Sequence, residues 1–209
     1  MTTRLTPGII LQYHSIQRKF FSDITKRISD SQPVTVFIKT ASKYCLLLEN
    51  MDKRKPLHIL QEAYFLLPQL CLSAMRLPDI KRTSNYSTSR ISDENWQTMF
   101  NSLREYFSNY DQYQGICDPY DRSDTEVMKM SLSDDLCEIF ENIKPGLDEW
   151  EKVTTTEKRD IIWEWKFSYE NHWGDHATRT FRALYHLLNQ HIEDERGDYI
   201  GTRGLLSTD

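Results

Sequence analysis

Apolar side chains recur every three or four positions through most of this chain, which is the spacing of one buried face of an α-helix. The clearest case runs from Ser131 to His191, where two amphipathic segments are separated by a short polar turn. The pattern predicts two helices here, the second of them long, with further helices covering their apolar faces. The predicted inner faces contain Leu132, Leu136, Ile139, Phe140, Ile143, Leu147 and Trp150 in the first helix, and Ile162, Trp165, Tyr169, Trp173, His176, Thr180, Leu184, Leu187 and His191 in the second.

Capping residues mark where these two helices begin. Ser131 is followed three positions later by Asp134, and Thr154 by Glu157. At this spacing the first side chain can accept a hydrogen bond from a free backbone amide of the first turn, and an acidic side chain there complements the helix dipole. Both segments are therefore predicted to have defined starts.

Three positions within the apolar segments disfavour a regular helix. Pro145-Gly146 and Pro68 predict a kink or a break, because proline removes a hydrogen-bond donor and clashes with the preceding turn. Gly174 lies inside the second helix, where glycine costs about 1 kcal/mol relative to alanine. Close approach of another backbone is the interpretation we favour for this glycine.

The other segments extend the same pattern towards the N-terminus. Helices are predicted from Ser31-Gln32-Pro33 to Asn50-Met51, with Val36, Phe37, Thr40, Tyr44, Leu47 and Leu48 inside, from Pro56 to Pro78, and from Ser92 onward, with Trp96, Met99, Phe100, Leu103, Tyr106 and Phe107 inside. Residues 79–92 are rich in Ser, Thr and Arg and predict a loop. Residues 109–130 have no clear period, although alternation at Glu126–Met130 is compatible with a short strand.

The composition fits a helical fold. The 209 residues are enough to bury a core, and the 5 Trp, 11 Tyr and 9 Phe each bury a large area, whereas 7 Gly and 7 Pro are few for a turn-rich β protein. We predict an all-α protein, an irregular bundle of about six or seven helices. The predicted organisation is an N-terminal helix or arm at 1–30, a single helical domain at 31–192 and a flexible C-terminal tail at 193–209.

Charge and cysteine usage restrict the partners and the compartment. The net charge of −5 argues against broad nucleic-acid binding. No apolar run approaches the ~20 residues of a membrane span, and the N-terminus has no adequate signal-peptide core. Four widely spaced cysteines without a CxxC pair are typical of reduced, buried thiols, so we expect a cytoplasmic protein. The four are Cys45, Cys71, Cys117 and Cys137.

The chain lacks the familiar catalytic motifs, including GxGxxG, GxxxxGK[ST], HExxH and GxSxG. His172 and His176 are four residues apart, a spacing that puts two imidazoles on one side of a helix and can bind a metal. A third ligand would come from another helix, with Asp134, Asp135 and Glu138 as candidates. The alternative is that His176 is a hydrogen-bonded residue at the edge of the core and that His172 is half exposed.

Two further groups of residues have both a chemical and a structural interpretation. The acidic segment 133–141 is similar to the carboxylate-bearing helices of metal-dependent phosphohydrolases, but helix capping explains the same residues. Arg179, Arg182 and His186 could form an anion site, whereas salt bridges to a neighbouring helix are the commoner outcome. The segment 109–124, with its Asp and Tyr residues, lacks the order of an EF-hand loop and is interpreted as a surface loop.

Four collinear stretches carry a resemblance to a bacterial family catalogued as domain of unknown function 5063. They are FIKTASKYCLLLEN at 37–50, LLPQLCLSAMRLP at 66–78, SLSDDLCEIFENIK at 131–144 and HWGDHATRTFRALYHLL at 172–188. The resemblance implies a compact, all-helical, bacterial cytoplasmic domain and brings no catalytic residue. Its pattern includes Trp173-Gly174 and Arg182-Ala183-Leu184 but leaves out His172 and His176.

Two function classes follow from these observations. The first is a non-enzymatic binding module that recognises a protein partner through an aromatic-rich helical surface, without a cofactor. The alternative is a metal-dependent hydrolase of a phosphorylated or nucleotide-like small molecule, with a divalent metal held by Asp134, Asp135, Glu138, His172 and His176. A weaker third hypothesis is a regulator that docks on acidic partners through its basic N-terminal helix.

Overall fold

The structure, a computed structural model, describes residues 26–84, 86–116 and 126–195, with the backbone alone from 191 to 195. The predicted N-terminal helix or arm lies mostly outside the described residues, as do Cys117, part of the 109–124 segment and the tail from 196 onward. Residues 26–29 form a helical turn that leads into the first long helix.

Six α-helices make up most of the described chain, which confirms the predicted helical bundle. Two short 3₁₀ turns and a two-stranded sheet complete it, and the last two helices are joined by a π-helical turn at Tyr169–Trp173. The helices are α1 (Gln32–Glu49), α2 (Pro56–Met75), α3 (Asp93–Phe107), α4 (Leu132–Glu149), α5 (Thr155–Ser168) and α6 (Gly174–Glu195), and the strands are β1 (Gln112–Gly115) and β2 (Met128–Ser131).

The predicted helix starts are confirmed by their hydrogen bonds. The Ser131 side chain accepts from the Asp134 amide, and Thr154 and Glu157 form a reciprocal capping box. Asp111 adds a second cap to α4, because its Oδ1 accepts from the Ser133 amide at 2.8 Å. Asp111 is buried, so this residue of the predicted surface loop is part of the interior.

Neither internal proline splits its helix, so of the predicted kink or break the break is wrong, and the kink stays a prediction. Helix α4 continues through Pro145, and helix α2 continues through Pro68. Each helix is 18 or 20 residues long, with buried residues on both sides of the proline, so tertiary packing outweighs the single lost hydrogen bond.

The small sheet is partly foreseen by the sequence. Strand β2 forms at Met128–Ser131, close to the alternation noted at Glu126–Met130, and pairs antiparallel with β1, Gln112 lying opposite Ser131 and Gly115 opposite Met128. Strand β1 lies in the segment 109–130, where the apolar residues have no clear period. The sheet brings residues of this segment to the N-terminus of α4.

Trp165 lies at the centre of the core. Its ring is 5.0 Å from that of Phe37 on α1 and 5.3 Å from that of Trp150 at the end of α4, and its Nε1 donates to the Ile143 carbonyl at 3.2 Å. Of the predicted inner face of α1, Val36 is 44% exposed, Thr40 is half-buried and the others are buried, namely Phe37, Tyr44, Leu47 and Leu48. Cys45 and Cys137 are buried free thiols, as expected, and Cys71 is half-buried.

The loop between α2 and α3 has no regular secondary structure in its described residues, as predicted, but it is fixed by hydrogen bonds. Its hydroxyl groups and amides donate to carboxylates on the last turn of α4 and on α5. No helix in the described ranges has the length and apolar composition needed to cross a membrane.

Candidate metal centre

The π-helical turn sets the rotation of α6 about its axis relative to α5. Trp165 and Trp173 are both buried although they are eight residues apart, a separation that would place them about 80° apart on a regular α-helix. The π turn accommodates one additional residue, which reduces this angle to about 20°. The same turn therefore keeps the core face continuous from α5 into α6 and fixes the direction of His172 and His176.

Gly174 follows directly after the π turn. A Cβ atom at this position would lie 2.4 Å from the carbonyl oxygen of Tyr169. The close backbone approach favoured from the sequence is therefore present, but it comes from the π turn itself and not from a neighbouring helix.

The two histidines face α4 across the helix interface. Their ring centroids are 5.0 Å apart, and Nε2 of His172 is 3.7 Å from Oε2 of Glu138. Nitrogen or oxygen atoms of Glu138, His172 and His176 all lie within 4.8 Å of one another, and the same holds for Asp134, Asp135 and His176. The five residues selected from the sequence thus form two neighbouring groups that share His176, at the contact between α4 and the segment from His172 into α6.

Asp135 is the most buried member of this cluster, with 1% of its side chain exposed. Its Oδ1 accepts from Nε of Arg179 at 2.6 Å and lies 2.9 Å from Nδ1 of His176, while its Oδ2 accepts from the Tyr113 hydroxyl at 2.5 Å. Since both carboxylate oxygens are already occupied by protein donors, Asp135 suits an orienting role better than a ligand role.

Burial perturbs the titration of the groups around Asp135. It raises the pKa of Asp134 and Glu138, with added repulsion from Asp135 and Glu141 respectively. It lowers the pKa of His172, and the neighbouring His176 and Arg179 act in the same direction. His172 is therefore neutral near pH 7, which is the form that can bind a metal.

Asn142 and Asp175 form hydrogen bonds at the exposed side of the cluster. Nδ2 of Asn142 lies 3.2 Å from Nδ1 of His172 and also donates to the Glu138 carbonyl at 2.8 Å. Nη1 of Arg179 donates to Asp175 at 2.9 Å. Arg179 therefore forms the salt bridges that were the commoner expectation, while His186 packs against the Tyr185 ring.

Sequence reasoning missed Tyr113 and Asn142. Asn142 is four residues after Glu138, so helical spacing alone could have placed it beside the cluster. Tyr113 belongs to β1, in a segment without a periodic signal, and only the pairing of β1 with β2 brings its hydroxyl to Asp135. The expectation that His176 is hydrogen-bonded and His172 half exposed is also met, so the cluster has a structural role whether or not it binds a ligand.

The fold and this cluster define a class of protein, a helical bundle with a half-buried set of carboxylates, imidazoles and one guanidinium between two helices. The model of the family described as Domain of unknown function (DUF5063) matches residues 29–190. The chain belongs to this family, which confirms the resemblance seen in the sequence.

A solved structure has the same fold. It is the crystal structure of protein BF1032 from Bacteroides fragilis, which is similar with a TM-score of 0.67 and 20% sequence identity over 77% of this chain and 94% of that chain. At this identity the likeness concerns the fold alone. A search of curated proteins finds no match to the chain.

Proposed function

We propose that this domain binds a divalent metal ion through Glu138, His172 and His176 and is a metal-dependent hydrolase of a phosphorylated or nucleotide-like small molecule. The observation that supports the proposal is the convergence of the three ligand groups within 4.8 Å. The 3.7 Å between His172 Nε2 and Glu138 Oε2 is near the value for a metal site. Two ligand atoms each about 2.1 Å from a tetrahedral zinc ion are roughly 3.4 Å apart.

The ligand types favour a transition metal. Two imidazoles and one carboxylate suit zinc or iron better than magnesium or calcium, which prefer oxygen ligands. The Glu138–His172–His176 group is preferred to the group of Asp134, Asp135 and His176 because Arg179 and Tyr113 already occupy Asp135.

The exposure of the site favours catalysis over a structural role. Structural zinc sites use four protein ligands, whereas hydrolytic sites use three and leave a position for water. The His172 side chain is 48% exposed, so solvent and a substrate can reach this side of the cluster. A bound metal would supply an activated water at this open position. The choice of a phosphorylated substrate rests on the similarity of the acidic segment 133–141 to the carboxylate-bearing helices of metal-dependent phosphohydrolases.

Zinc binding by the purified protein tests the proposal. Protein stripped of metal and titrated calorimetrically with Zn²⁺ should take up one equivalent, and His172→Ala should weaken binding by at least about 100-fold because it removes one of three ligands. His186→Ala, an exposed histidine later on α6, is the matched control and should bind like the wild type. Wild-type protein that takes up no zinc would contradict the proposal.

Activity is measured on the same proteins. Zinc-loaded wild type should hydrolyse p-nitrophenyl phosphate or members of a nucleotide panel, and the His172→Ala variant should not. If zinc binds with no turnover of any such substrate, the metal site stands and the hydrolase is rejected.

A second candidate function, a protein-interaction module, is favoured by the apolar surface between α1 and α2. Leu46 and Phe65 are 55% and 60% exposed, and with Leu47 and Leu66 they form the apolar half of a groove of about 440 Å³. The other half is polar and consists of Lys43, Arg54, Glu62 and Gln69. Adjacent exposed apolar side chains of this size are typical of binding surfaces. A tagged wild-type chain should then recover a stoichiometric partner from its native cell extract. Phe65→Ser should lose it, and Phe167→Ser, exposed on α5, should not.

A further inference from the structure

Nδ1 of His176 has two neighbours with opposite requirements. It lies 2.9 Å from Oδ1 of Asp135, which can only accept a hydrogen bond, and 2.6 Å from Nη2 of Arg179, which can only donate one. A neutral imidazole carries a proton on one nitrogen and a lone pair on the other. Nδ1 can therefore satisfy Asp135 or Arg179, but not both at once.

The hydrogen-bond partner of Nδ1 determines whether the other ring nitrogen, Nε2, carries the proton or a lone pair. If Arg179 donates to Nδ1, the ring proton is on Nε2, and Nε2 cannot bind a metal. If Nδ1 carries the proton and donates it to Asp135, Nε2 presents its lone pair. The second arrangement is the one found in metal sites, where the ligating histidine donates its other N–H to a carboxylate.

We propose that Arg179 controls metal binding at His176, because its guanidinium holds the ring in the tautomer that cannot bind and must release Nδ1 to Asp135 before the ion is bound. The proposal rests on the metal site proposed above and adds its regulation. Arg179 is then a positioning residue that opposes metal binding at His176, and Asp135 is a positioning residue that favours metal binding.

The other contacts of Arg179 make this exchange feasible. Its Nε donates to Asp135 at 2.6 Å and its Nη1 to Asp175 at 2.9 Å. Its Nη2 is also 2.6 Å from Oδ1 of Asp135. Because the guanidinium is planar and rigid, it leaves His176 only by turning relative to the two carboxylates, which keep it in the cluster while its hydrogen bonds are re-formed. Arg179 and His176 are three residues apart on α6, so a change of side-chain rotamer is sufficient and no helix has to move.

Two substitutions should change zinc affinity in opposite directions. Arg179→Lys keeps a cation that can reach Asp135 but removes the Nη2 donor, so binding should tighten about tenfold, as expected for loss of a competing charged hydrogen bond. Asp135→Asn should weaken binding at least about tenfold, as is typical for an orienting residue of a metal ligand. Arg182→Lys, an exposed arginine one turn later, is the control and should leave the affinity unchanged.

The tautomer itself gives an independent measurement without metal. Long-range ¹H–¹⁵N NMR should show the His176 proton on Nε2 in the wild type and on Nδ1 in Arg179→Lys. A purely structural ion pair predicts no change of tautomer and no tighter binding.

The outcomes separate the two proposals. Zinc binding by the wild type that is unchanged or weaker in Arg179→Lys overturns the control by Arg179 and leaves the metal site intact. Absence of zinc binding in both the wild type and Arg179→Lys overturns both. Binding that tightens in Arg179→Lys and is abolished when His172→Ala is added supports both.

Discussion

Gly146 is a residue of α4 that packs directly against the central tryptophan. A Cβ atom here would lie 2.5 Å from Nε1 of Trp165 and 2.7 Å from its Cε2. The indole is buried and its Nε1 is tied to the Ile143 carbonyl, so it has little freedom to move away. The absence of a side chain at Gly146 therefore allows α4 and α5 to approach each other at this point.

We expect Gly146→Ala to destabilise the protein. Overpacking a rigid core costs typically 1–3 kcal/mol, of which the better helix propensity of alanine recovers up to about 1 kcal/mol. The free energy of unfolding, measured in urea, should therefore fall by up to about 2 kcal/mol. Gly115→Ala is the control, since its Cβ would meet the flexible end of Met130 and should cost less. Equal or higher stability of Gly146→Ala would show that Trp165 can shift.

At the scale of the elements, the loop between α2 and α3 is held in place by carboxylates of α4 and α5. Asp160 accepts from the amides of Thr83 and Ser84 at 2.7 Å and 3.0 Å and from both hydroxyls. Ser89 and Tyr86 donate to Glu149 at the end of α4. Thr88 and Ser87 donate to Glu164, one turn after Asp160 on α5. Three carboxylates on two helices therefore hold a loop whose described residues have no regular secondary structure.

Asp160→Asn should release the first part of this loop. The amide group of asparagine presents two donors where Thr83 and Ser84 also donate, so buried donors are left unsatisfied at a cost of about 1–3 kcal/mol each. Lys81 and Arg82 should then be cleaved faster by trypsin in the native state, and urea stability should fall. Glu151→Gln, a substitution at an exposed acid on the turn before α5, should change neither rate nor stability. Unchanged cleavage would mean that the loop is held mainly by its apolar residues.

The same contacts predict how stability depends on pH. Burial acts to raise the pKa of Asp160 and of Glu149, but hydrogen bonds outweigh it and both values lie below the usual range. Because the folded pKa is lower than the unfolded one, this stabilisation is complete above the ordinary carboxyl pKa near pH 4 and is lost as the pH falls below it. The difference in unfolding free energy between the wild type and Asp160→Asn should therefore be constant above about pH 5 and shrink as the pH falls below about pH 4.

At the scale of the whole molecule, Trp165 connects three helices. It contacts Phe37 of α1, the Ile143 carbonyl of α4 and Trp150 after α4 while belonging to α5. The aromatic cluster around it is the point at which the N-terminal and C-terminal helices share one core.

Trp165→Ala should cost about 3–5 kcal/mol, which is a large part of the stability of a domain of this size. Phe167→Ala, two residues later on the exposed side of α5, should cost less than about 1 kcal/mol. Urea titration followed by circular dichroism measures both. Similar losses for the two variants would mean that Trp165 is not the centre of the core.

Much of the fold was determined by short-range sequence patterns. The period of apolar residues placed the helices, Ser131 and Thr154 marked where two of them begin, and Pro56 marked the start of α2. These predictions succeed because the groups involved are within four residues of one another, so the local chain decides the outcome. His172 and His176 were found in the same way, as two residues on one side of a helix.

Other features were decided only by tertiary structure. Pro145 and Pro68 are tolerated because packing on both sides outweighs one lost hydrogen bond. The π turn keeps Trp165 and Trp173 on one buried face. The contact of α4 with α6 brings Glu138 to the histidines, and the β1–β2 pairing brings Tyr113 to Asp135. The Glu138–His172 and Tyr113–Asp135 contacts each join residues more than 20 positions apart, and their energies depend on burial and partner charge, which no local pattern encodes.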